Sequence, residues 1–167
     1  MSLPSLYRKI VPERIRLAIR GGFYTTPIEE VHIECLDKSI DTMIKWSNKN
    51  PNARLMLTPQ FPALAQELLE NTHNSVGLHV HTDLWTMKEG DYFLRSLNVF
   101  ERHFAAGHWR YDWDILKECS ELGYVFIHMK CSVIHEMVYG LPPGLTLIPV
   151  HRHLHDYEIL RIPPTLP

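Results

Sequence analysis

The chain of 167 residues carries no excess of basic charge: 17 Lys plus Arg stand against 19 Asp plus Glu, for a formal net charge of -2. Without a basic footprint, nucleic acid is not an expected partner. No apolar run reaches the roughly 18 residues of a spanning helix, and Met1 to Ile10 lack a signal-peptide core, so no membrane partner is expected either. Cysteine is scarce. Cys35, Cys119 and Cys131 are odd in number and show no Cys-x-x-Cys spacing, which argues against a disulfide framework and predicts thiols of a reducing, cytoplasmic compartment. Internal repeats and low-complexity segments are absent too. Hydrophobic residues make 45% and charged residues 22%, the balance of an ordinary globule. The length suits one domain over 1–167, with 1–25 as a lead-in and a proline-rich end that fits a chain cut short.

Short apolar runs alternate with segments of helical period, which predicts βα units and a largely parallel sheet. Strands are expected at Val31–Leu36, Arg54–Leu57, Ser75–Val80, His103–Ala106, Tyr124–Met129, Leu145–Val150 and Glu158–Ile162. Arg14–Ile19 fits an edge strand or a lead-in helix. Helical faces are carried by Ile40, Met43 and Ile44, by Ala63, Leu64, Leu68 and Leu69, by Phe93, Leu94, Leu97 and Phe100, and by Leu116, Cys119 and Leu122. Gly123 is placed as a left-handed helix stop. A complete parallel barrel runs to about 250 residues. The expected fold is therefore α/β, a reduced or incomplete (β/α) barrel.

Histidine is what the chain has in abundance, 11 in all. His79 and His81 share one face of a strand and sit at its C-terminal end, where active sites of parallel α/β proteins lie. Asp83 continues their parity if the chain stays extended. Two imidazoles beside a carboxylate suit Zn²⁺ or a similar divalent ion, although two polar strand residues in a solvated cleft have the same pattern. Asp37 follows another strand end and fits either a third ligand or the N-cap of the next helix. The loop His108-Trp109-Arg110-Tyr111-Asp112-Trp113 offers flat rings for a sugar face, or anchors and a cap for the fold. His151, His153 and His155 recur at period two, with Asp156 adjacent to orient an imidazole for proton transfer; a polar strand edge is the plainer reading. His128 ends a strand and is expected at the same mouth. His32, His73, His103 and His135 read as surface or packing residues.

The order of these pieces resembles the polysaccharide deacetylase superfamily of carbohydrate esterases over roughly residues 30 to 130. Ile33 to Asp37 is similar to the family's first motif, Gly77-Leu78-His79 with His81-Thr82-Asp83-Leu84 to a shortened metal-histidine motif, and Phe104–Gly107 with Glu121-Leu122-Gly123-Tyr124 to its third motif and trailing helix. Leu154-His155-Asp156 is similar to the late histidine motif. The resemblance implies a deacetylase-type barrel with a divalent metal, zinc first among candidates, held by Asp37, His79 and His81. It implies removal of acetyl groups from N-acetylated sugars or a related small amide. Leu36 stands where the family has its base aspartate, which leaves Glu34 to take that role. His155 or His153 would protonate the leaving amine, and His108, Trp109, Tyr111, Trp113 and Asp83 would contact substrate. Two other readings stand beside this one. A divergent domain of the same type would bind carbohydrate or metal without turnover. The His79-x-His81 pair also looks like the opening motif of the polymerase-and-histidinol-phosphatase phosphoesterases.

Overall fold

The segment Glu30-Val31-His32-Ile33 alternates polar and apolar side chains, so a strand made of it has one greasy and one polar face. That alternation organises the whole molecule. The computed structural model describes residues 27–34, 40–130 and 141–160. In chain order these form β1 (Glu30–Ile33), α1 (Ile40–Lys49), β2 (Arg54–Leu57), α2 (Pro62–Glu70), β3 (Val76–Val80), α3 (Met87–Ser96), β4 (His103–Ala106), a 3₁₀ turn (Gly107–Trp109), α4 (Trp113–Glu121), β5 (Phe126–Lys130), β6 (Thr146–Val150), β7 (His153–His155) and α5 (Asp156–Leu160).

Local chemistry sets the helix ends. Pro62 opens α2, where its missing N–H costs nothing. Thr86 and Glu89 form a capping box at α3, the Thr86 hydroxyl accepting from Glu89 N while the Glu89 carboxylate accepts from Thr86 N. Asp112 caps α4 by accepting from Ile115 N at 2.8 Å, and Gly123, at φ +80°, turns the chain out of it. Two expectations are corrected here. Phe100 lies beyond the end of α3 and is exposed, because Ser96 closes the helix one turn earlier. Instead of a strand at 158–162, α5 starts at Asp156. There the Glu158 carboxylate accepts from His155 N at 2.9 Å and Asp156 accepts from Tyr157 N, meeting amides that a helix start leaves bare. The Arg14–Ile19 run lies outside the described residues.

All seven strands are parallel, in the order β6-β5-β4-β3-β2-β1-β7. Val31, Ile33, Leu55, Leu57, Leu78, Val80, Phe104 and Ile127 point outward into the main apolar core, with Met43, Leu68, Leu94 and Leu116 from the helices. The opposite face curls inward. β1 and β5 stand four strand spacings apart, about 19 Å on a flat sheet, yet the His128 imidazole of β5 reaches the Glu30 carboxylate of β1 at 2.6 Å. The chain is thus α/β, with a curled parallel sheet in the form of an incomplete β/α barrel. Among the described residues β6 and β7 do not pair. None of the described helices is long and apolar enough to cross a membrane.

Candidate functional site

The registers that pair His32 with both Met56 and His155, and His79 with Ala105, place Glu30, His32, Arg54, His79, His103, His128, His153 and His155 on the concave face. Glu34 and His81 continue the same parity just past the ends of β1 and β3. Here Glu34 Oε1 lies 3.1 Å from His79 Nε2 and 3.1 Å from His81 Nε2, and the two imidazole nitrogens are 3.2 Å apart. A tetrahedral ion with bonds of 2.0–2.1 Å sets its ligand atoms about 3.3 Å from one another. The triangle has the right size.

Its proton inventory points the same way. The Ala105 carbonyl can only accept, so at 3.0 Å it takes the Nδ1 proton of His79 and leaves Nε2 as a lone pair. Burial holds His79 neutral by lowering its pKa. For Glu34, burial works against ionisation, but the imidazoles of His155, His79 and His81 gathered around it hold the carboxyl well below the usual range. A lone pair therefore faces a carboxylate oxygen, an arrangement that a cation between them relieves. The outer-nitrogen bond to Ala105 is the support that metal-ligating histidines carry.

Below this triangle lies a second polar layer. The Glu30 carboxylate, 1% exposed, accepts from His32 Nε2 at 2.7 Å and from His128 Nδ1 at 2.6 Å. His128 Nε2 in turn accepts from His103 Nδ1 at 2.9 Å, with Arg54 Nη1 at 3.5 Å. Burial raises the Glu30 pKa, but the His128 and His32 bonds outweigh it and hold the group at about 2. Burial pushes His32 down to about 3. Burial and then Arg54 push His103 down to about 4.

At the rim, His155 Nδ1 is 3.3 Å from Glu34 Oε1, and the Asp156 carboxylate accepts from Glu34 N at 2.9 Å. The Trp109 ring lies 5.1 Å from His32 and 4.9 Å from His153, roofing the concave face. His108 is exposed, edge-on to His81 at 4.6 Å. His108 and Trp109 both sit in left-handed backbone, at φ +54° and +57°. Such strain at non-glycine residues gathers at functional sites. Glu34 and His81 also line a cleft of about 190 Å³ with Thr58, Gln60, Leu84 and Trp85.

Other expected residues fall elsewhere. The Tyr111 hydroxyl is tied between Ala106 N and the His128 carbonyl, which makes it a strut rather than a free ring edge. Trp113 begins α4 and is 56% exposed. Asp83 loses its parity because β3 ends at Val80 and Leu84 N turns back to the His81 carbonyl, leaving Asp83 exposed. His151 precedes β7 and is exposed, while His128 lies in the deeper layer and not at the mouth. Asp37 and His135 lie outside the described residues. His32 and His103, expected on the surface or in packing, belong to the concave face. Glu30 and Trp85 carried no expectation. The signal for Glu30 and His32 was in the alternation Glu30-x-His32-x-Glu34, the same logic that found His79 and His81. Comparison with protein-family models and with curated protein sequences finds no match for this chain, which leaves the site's own geometry to carry its interpretation.

Proposed function

We propose that the protein is a metal-dependent hydrolase of the polysaccharide deacetylase type, releasing acetate from an N-acetylated sugar or a related amide. One observation carries this reading: Glu34, His79 and His81 converge within 3.2 Å of one another at the C-terminal ends of a parallel sheet. These three hold the divalent ion, so Glu34 acts as ligand in the place first expected for Asp37. The chemistry such an ion supplies is polarisation of a carbonyl oxygen and a lowered pKa for water. Trp85, on the cleft wall, and Trp109, over the concave face, give a sugar ring its apolar stacking surfaces, and Thr58 and Gln60 offer hydrogen bonds to hydroxyls. His153 or His155 holds the proton that the leaving amine nitrogen needs.

The reading that competes is a domain that binds metal and sugar without turnover. It is favoured by one fact: among the described residues, Glu34 is the sole carboxylate in the possible ligand groups, so a ligand role leaves no separate base there. Metal content of tag-free protein, measured beside His79→Ala/His81→Ala, tests the shared premise. About one ion or more per chain, lost in the folded double variant, supports it, and acetate release from N-acetylated oligosaccharides then separates enzyme from binder. No metal after reconstitution would sink both readings.

A further inference from the structure

The ligand triangle is not the only one of its kind. His32, Glu34 and His155 also bring one ligand atom each within 4.8 Å of one another, and Glu34 is common to both sets. We propose that this second set is a second divalent-cation site, so that Glu34 bridges a two-metal centre. The inference rests on the reading that Glu34, His79 and His81 hold an ion.

Three features of the second set belong to a metal site rather than to packing. His32 donates its Nε2 proton to Glu30 at 2.7 Å, which leaves Nδ1 as the ligand nitrogen. A buried carboxylate on the outer nitrogen is how metal-bound histidines are oriented and made more basic. Glu30 is itself fixed by the His128 imidazole at 2.6 Å, so the orienting group cannot swing away. His155 supplies the third feature. Its Nδ1 is buried and lies 3.3 Å from Glu34 Oε1, yet it has no aligned hydrogen-bond partner. A buried nitrogen left in that state calls for an unseen partner, and a cation shared with Glu34 provides one. Two-metal centres hold their ions about 3.5–4 Å apart, and Glu34 Oε1, which faces His79, His81 and His155 alike, is the oxygen placed to bridge them. In this arrangement His155 is a ligand, and proton transfer to the leaving group falls to His153, packed against His32 and Trp109.

The test is ion stoichiometry on chelator-stripped, tag-free protein reloaded with Zn²⁺ or Mn²⁺. The wild type is expected to take two ions per chain, and His155→Ala and His32→Ala one each. Glu30→Gln is expected to weaken the second binding step by about 10- to 100-fold. Mn²⁺-loaded wild type should show a spin-coupled paramagnetic resonance spectrum that collapses to an isolated-ion signal in His155→Ala. If the buried His32→Ala change unfolds the chain by circular dichroism, His155→Ala at its partly exposed position carries the test. One ion in the wild type, lost in His79→Ala/His81→Ala and kept in His155→Ala, overturns the second site and spares the first. One ion lost from either set overturns it in favour of a single shared centre. No ion at all overturns both sites.

Discussion

Gly107 shows how tightly single positions constrain the site. A Cβ built on it would stand 2.5 Å from His81 Cγ and 2.8 Å from His81 Cα, closer than carbon atoms approach. The backbone after β4 therefore packs directly against the ring and root of a proposed ligand. Gly107→Ala is expected to displace His81 and lower metal affinity by about tenfold or more, as loss of ligand support does, while far-ultraviolet circular dichroism stays unchanged. Competition with a chromophoric chelator measures it. Wild-type affinity in that variant would show that His81 does not bind the ion. Strand parity read from sequence finds the pair His79 and His81, and it extends equally to Glu30, His32 and Glu34. It cannot say that Gly107 lies against His81, because that contact joins two strands by way of the chain's path after each ends.

The elements repeat the lesson one level up. Helix α3 carries Gly90 in its interior, a residue that ordinarily weakens a helix by about 1 kcal/mol relative to alanine. Its place is explained by packing: an added methyl would meet Val80 Cγ2 at 2.8 Å and Leu78 Cδ2 at 2.9 Å on β3. Overpacking of this kind costs about 1–3 kcal/mol, so Gly90→Ala is expected to destabilise by about 1 kcal/mol net. A urea midpoint at or above wild type would refute the close approach. The element order of β1 to β6 was legible because each strand and each apolar helix face is written in a short stretch of sequence. The end of the chain was less so. The period-two histidines at 151–155 read as a polar strand edge, but nothing local gives the pairing of β7 with β1, more than a hundred residues away.

For the molecule as a whole, the buried polar layer predicts an acid-sensitive fold. His103 titrates at about 4 in the folded chain against an ordinary 6.5, and Glu30 at about 2 against 4.5. Both folded values lie below the unfolded ones, so the unfolded chain binds more protons and stability rises with pH through each window. Their contributions are complete above about pH 6.5 for His103 and above about pH 4.5 for Glu30. They are lost as pH falls toward 4 and then toward 2. Thermal unfolding of metal-free protein between pH 7 and pH 4 is expected to show a falling midpoint, with a smaller fall in His103→Phe. A midpoint independent of pH in that range would mean the layer is not built as described.

Alternation in β1 and β3, the apolar helix faces, the caps at Asp112 and the stop at Gly123 were determined by the sequence alone, because periodicity and capping act over a few residues. Which polar side chains meet was a different matter. Glu30 reaches His128 across four strand spacings, and Glu34 meets His79 and His81 across two, because the sheet curls, while His155 meets Glu34 from the neighbouring strand β7. That curl sums the twist of every strand, and neighbouring strands also meet closely at small residues such as Gly77, where an added Cβ would stand 2.6 Å from Met56 Sδ. No local pattern encodes such a sum, so the histidines were visible in the sequence and their common centre was not.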